Sequence, residues 1–175
     1  SELHQLIAAE TERLHDFDAA SVTRLVEAFV DDLSNWYVRR SRRRFWRSGD
    51  GPDSLAALHT LYECLTTVTK LLAPFTPFLA ESLHQNLVRG HVAGARDSVH
   101  LEDWPQADAS AIDVALSGEI ALVQRMVSLG RGARSKAQAK VRQPLATAIL
   151  VPRTEAERAS LERLAAQIAE ELNVK

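Results

Sequence analysis

Six arginines occupy positions 39–47, and no acid occurs between Asp32 and Asp50. The run closes the stretch LSNWYVRRSRRRFW at 33–46, where Trp36, Tyr37, Phe45 and Trp46 flank and punctuate the charge. Like charges packed this closely repel one another, so the cluster persists most readily when an anion answers it. A nucleic-acid backbone is the commonest such anion. Arginine also brings a planar fork that binds phosphate at two points and a flat face that stacks on bases. A second acid-free window, 120–154, holds seven bases: Arg125, Arg131, Arg134, Lys136, Lys140, Arg142 and Arg153. The two windows take 13 of the 21 basic side chains, leaving 8 to face all 23 acids elsewhere. The net charge of −2 and pI near 6.3 therefore conceal two basic patches, and local field steers a polyanion more than net charge does.

Charge and helical phase single out Arg39, Arg42, Arg43 and Trp46 in the first window, and Arg134, Lys136, Lys140, Arg142 and Gln143 in the second. Cations near a helix C-terminus also favour the macrodipole, which accounts for one or two of the second set but not for seven. Arg40 and Arg44 fall in line with an apolar seam, where Arg40 is expected to make a structural salt bridge. Trp36 and Tyr37 continue that seam and read as core, whereas Trp46 lies off it and is the better stacking residue. Cys64 reads as a small core residue, and the spacing of His84 and His91 without a third ligand argues against a metal. Glu10, Glu12, Glu170 and Glu171 read as helix-surface charges. No glycine-rich phosphate loop, nucleophile elbow or acid–base pair is present, so the pattern suggests binding rather than catalysis.

The elements that must carry these side chains are helical. At about 100° per residue, Val22, Leu25, Val26, Phe29, Val30, Leu33, Trp36 and Tyr37 share one face of a helix capped by Asp18. A preceding helix carries Leu3, Leu6, Ile7, Glu10 and Leu14 and is already running at Ser1. Residues 48–52 read as a loop. A third helix carries Leu55, Leu58, Leu61, Tyr62, Leu65, Val68 and Leu72, and Thr76-Pro77 opens a fourth. Residues 89–109 look irregular. A capping box from Ser110 to Asp113 is expected to open a long helix that ends before Pro144. The period then changes: 146–151 (ATAILV) reads as a short buried strand, Thr154 and Glu157 form a second capping box, and 173–175 resembles the entry to another strand. The expected fold is mainly α, an antiparallel helical bundle over 1–143, followed at 144–175 by the start of a truncated β-α-β subdomain. One cysteine leaves no internal disulfide and suits a reducing cytoplasm. No apolar run approaches the roughly 20 residues of a membrane span.

LSNWYVRRSRRRFW, LYECLTTVTKLLAPFTPFLAESLHQNL, SVHLEDWP and RSKAQAKVRQPL occur in that order between residues 33 and 145, and the resemblance they carry runs over essentially the whole chain. Together they resemble isoleucyl-tRNA synthetase, in the helical anticodon-binding region that follows the catalytic core of class Ia synthetases. The resemblance implies an enzyme that joins isoleucine to its tRNA with ATP and Mg. Its catalytic motifs (HIGH and KMSKS) and editing domain lie outside this sequence, so this chain by itself is expected to be non-catalytic and to bind no cofactor. It further implies a monomer whose partners are the anticodon stem-loop of isoleucine tRNA and the catalytic core of the same polypeptide. The alternatives are a helical protein-interaction module, or a stand-alone RNA-binding domain using the same arginine-rich face.

Overall fold

The computed structural model describes residues 1–46 and 51–175; Arg47 and residues 48–50 of the expected loop at 48–52 lie outside the described residues. The chain is mainly helical and divides into two compact units, Ser1–Ile112 and Asp113–Lys175. The 143/144 boundary read from the sequence falls inside the second unit.

In the first unit, α1 (Glu2–His15) and α2 (Ala19–Asp32) are joined by a tight turn in which Phe17 takes a left-handed backbone, φ 57°. The Phe17 and Asp18 amides close the end of α1 on the carbonyls of Leu14 and Arg13, and the Asp18 side chain accepts from the Ser21 amide at 3.1 Å. That is the cap expected from the sequence. Helix α2 runs on through a π turn, Leu33–Val38, into α3 (Arg39–Trp46). A π turn inserts one residue into the winding, which advances the inward face by one position. The seam expected to reach Arg40 instead buries Ser41, at 4% exposure, and Arg40 stays half-buried on its flank.

Pro52 opens α4 (Pro52–Leu72), and Pro77 opens α5 (Pro77–His84) behind Thr76. Leu3, Leu6 and Ile7 of α1, Val22 and Val26 of α2, and Cys64, Val68 and Leu71 of α4 form the core. Burial pushes the Cys64 thiol up, as befits an inert core residue. The apolar residues of α4 divide between two faces: Leu55, Leu58, Tyr62 and Leu65 form an exposed row instead of joining the core. The segment at 96–104, irregular as expected, is a strap across these helices. The Ser98 hydroxyl and Val99 amide donate to Glu81, at 2.7 and 3.1 Å, holding its carboxyl below the usual range. The Nε2 of buried His84 donates to the Arg96 carbonyl at 2.9 Å, Lys70 meets Glu102 at 2.9 Å, and Trp104 Nε1 donates to Thr11 at 2.9 Å.

In the second unit, Asp113 itself caps α6 (Val114–Lys136), accepting from the Leu116 amide at 2.9 Å. Ser110, the expected cap, lies in a separate 3₁₀ turn. Thr154 caps α7 (Glu155–Arg163) through the Glu157 amide, while the Glu157 carboxylate reaches back to the Arg153 amide. A break at Leu164 separates α7 from α8 (Ala165–Leu172), where the spacing predicts one helix. The expected strand at 146–151 does not form. Its only β feature among the described residues is a single parallel bridge between Leu145 and Val174 just before it. Ile149 and Val151 are 87% and 80% exposed, because an apolar run becomes a buried strand only when a neighbouring strand pairs with it.

Candidate nucleic-acid interface

The π turn sets the chemistry of the first basic patch. Tyr37 turns inward, its hydroxyl donating to the Ala57 carbonyl at 3.0 Å and its ring meeting Phe45 edge-on at 6.4 Å between centroids. Trp36 is half-buried rather than core: the Arg40 guanidinium lies over its ring at 5.2 Å and that of Arg39 at 6.0 Å. Arg39 also donates from Nε to the Asn35 carbonyl at 2.7 Å, which fixes the start of its side chain along the helix. Arg44 faces α4, where Nη2 and Nε meet the two carboxylate oxygens of Asp53 at 2.8 and 3.0 Å. That fork-to-carboxylate geometry occupies its charge.

Arg42, Arg43 and Trp46 remain outward. Arg42 lies 5.4 Å above the Trp46 ring, and Trp46 is 76% exposed. A cation over an exposed indole makes a flat, positively charged surface on which an unpaired base can stack. Arg43 is exposed and pairs with no acid among the described residues. Arg39, Arg42, Arg43 and Trp46 are all exposed on α3; the phase read from the sequence turns Arg39, Arg42 and Trp46 away from the seam.

The second window is thinned by folding. Arg125 meets Glu157 at 2.7 Å and Arg131 meets Glu171 at 2.6 Å. Glu171 is buried, so the surface position expected for it is corrected: it is the inner partner of an ion pair. Glu10 is corrected likewise, being fully buried with neither carboxylate oxygen bonded. Arg134 is also corrected. Far from reaching outward, it is 5% exposed and its guanidinium is spent on the carbonyls of Lys140, Gln143, Leu172 and Asn173. Its position was legible: it lies eleven residues beyond buried Val123 and seven beyond Val127, on the same face of α6. Lys136, Lys140, Arg142 and Gln143 are exposed on the end of α6 and the following loop. The three cations among them pair with no acid among the described residues. No group of three histidines, cysteines or acids is placed to hold a metal among the described residues. No described helix is long and apolar enough to cross a membrane.

The chain thus joins a helical scaffold to two basic patches, the first of which carries an exposed indole. Residues 1–150 match the family "Anticodon-binding domain of tRNA ligase", and the chain belongs to that family. Its similarity to isoleucine–tRNA ligases then runs from end to end. It is 55% identical to the isoleucine–tRNA ligase of Dehalococcoides mccartyi strain CBDB1 over 175 residues, covering 100% of this chain and 17% of that protein. To the Thermobifida fusca ligase it is 52% identical over 99% of this chain and 16% of that one. To the Thermus thermophilus ligase it is 49% identical over 99% and 17%. The chain thus spans about one sixth of the length of these relatives.

Proposed function

We propose that this chain is the anticodon stem-loop reader of an isoleucine–tRNA ligase, an enzyme that works as a cytoplasmic monomer. The remainder of that enzyme supplies the catalytic core, with its ATP and Mg, and the editing site. This part binds RNA and no cofactor. The observation that carries the reading is the set of cations that folding leaves unspent. Arg44, Arg125, Arg131 and Arg134 are consumed by acids or carbonyls. Arg42, Arg43, Lys136, Lys140 and Arg142 have no acid partner among the described residues. Phosphate contacts from these side chains fix register on the stem. Trp46 and Gln143 supply a stacking face and a hydrogen-bonding amide suited to splayed bases. The remaining candidate, Arg39, is steered by Asn35 and Trp36 along the same helix.

A salt series tests the phosphate part directly. Counterion release makes the logarithm of affinity fall linearly with the logarithm of salt, with a slope of about −3 or steeper if most of these five cations engage. Binding of isoleucine tRNA that is absent at low salt, or insensitive to salt, contradicts the proposal.

A further inference from the structure

The loop at 140–143 has all four of its carbonyls taken from inside the unit. Arg134 Nη1 donates to the Lys140 carbonyl and Nη2 to that of Gln143, both at 3.0 Å. The side-chain amide of Asn173 donates to the carbonyls of Val141 and Arg142, both at 3.1 Å. Arg134 Nη2 also reaches the Leu172 carbonyl at 2.6 Å, which ties α6 to the end of α8. Asn173 can do this because it sits in the left-handed region at the C-cap of α8, φ 50° and ψ 55°. The Leu145 amide donates to the Asn173 carbonyl and the Lys175 amide to that of Leu145, each at 3.0 Å, closing the loop's far end.

A peptide whose carbonyls are all drawn to one side is not free to turn over. Here the side chains of Lys140, Arg142 and Gln143 are left on the solvent side. We infer that Arg134 and Asn173 are positioning residues for RNA binding: they touch no RNA, and they hold residues 140–143 so that Lys140 and Arg142 face the phosphates while Gln143 is presented to the bases beside them. The inference rests on the proposed function. Its energetic basis is preorganisation, since a loop ordered beforehand loses less freedom when RNA docks.

Asn173→Gly isolates the effect. Glycine adopts the left-handed backbone without strain, so the substitution removes the amide and spares the cap. The N173G chain should bind isoleucine tRNA roughly fivefold more weakly with the same salt slope, because no phosphate contact is lost. Arg142→Ala should instead both weaken binding and flatten the slope by about 0.9. Trypsin should cut after Lys140 and Arg142 faster in N173G than in the parent, well below the melting temperature. If N173G melts too low to assay, the same substitution is made in the Gly132→Ala background, where added helix propensity offsets the loss, and should show the same weakening at constant slope. Unchanged RNA affinity in the folded Asn173 variant, with R142A weakened, overturns the positioning role and leaves the proposed function standing. Unchanged affinity in both N173G and R142A overturns the RNA role of the loop itself.

Discussion

Gly130 on α6 faces Leu172 on α8 so closely that a Cβ at position 130 would lie 2.5 Å from Leu172 Cδ1 and 2.7 Å from Cδ2. Leu172 is 3% exposed and has little room to withdraw. Gly132, two residues on, has no atom within 4 Å of its would-be Cβ. Alanine at either position gains helix propensity worth up to about 1 kcal/mol. At 130 overpacking costs about 1–3 kcal/mol and outweighs it. Gly130→Ala should therefore lower the melting temperature and Gly132→Ala should raise it. Equal shifts in the two variants would show that α6 and α8 do not approach at Gly130.

Glu10 makes stability depend on pH in an unusual direction. Burial raises its carboxyl from 4.5 to about 7. The folded state therefore holds a proton that the unfolded chain releases near pH 4.5. The contribution is complete below that pH, is lost as pH rises toward 7, and is flat above. A carboxyl raised this far changes stability across that window by about 3 kcal/mol. Glu10→Gln should abolish this dependence and stabilise the protein at pH 8. Denaturant melts between pH 5 and 8 will decide it, and parallel curves for parent and variant would contradict the buried, unbonded carboxyl.

Arg43 and Arg44 are neighbours with different fates. Arg43→Ala should weaken tRNA binding and flatten the salt slope by about 0.9, with no change in melting temperature. Arg44→Ala removes the contact with Asp53, a surface pair worth at most about 1 kcal/mol, and should leave the slope unaltered. Titration with isoleucine tRNA at several salt concentrations separates the two. An Arg44→Ala slope change matching that of Arg43→Ala would place Arg44 on the RNA instead.

Trp46 should act through its face. Trp46→Ala, at a position 76% exposed, should leave the fold intact and weaken binding of an isolated anticodon stem-loop by about 1–3 kcal/mol, the worth of one stacked base. A fully paired duplex of the same length should bind parent and variant alike. Loss of duplex binding would point to a contact other than stacking.

The helical architecture was legible because the apolar period on α1 and α2 is regular and Asp18 and Pro77 punctuate it; Pro52, read as the end of a loop, is instead the first residue of α4. The outward placement of Arg39, Arg42 and Trp46 was legible for the same reason. The π turn at Leu33–Val38 was not: one inserted residue leaves no compositional mark, yet it exchanges Arg40 for Ser41 at the seam. The run at 146–151 misled because a short apolar stretch looks alike whether it is paired or exposed. Charge counting hid Arg134, since an acid-free window reads as surface even where the α6 wheel turns one arginine inward to serve carbonyls. Asn173, nearly forty residues from Arg134, gave no local signal at all, because the loop it holds is assembled only by tertiary packing.

Recognition of an anticodon, and not merely of a polyanion, is tested most directly by a paired titration. The chain is titrated with isoleucine tRNA and with the same tRNA carrying another anticodon, at one fixed moderate salt concentration. Tighter binding of the native tRNA is expected, by tenfold or so for a single lost base contact worth about 1–3 kcal/mol. Equal affinity for the two would reduce the domain to a phosphate clamp and contradict anticodon recognition.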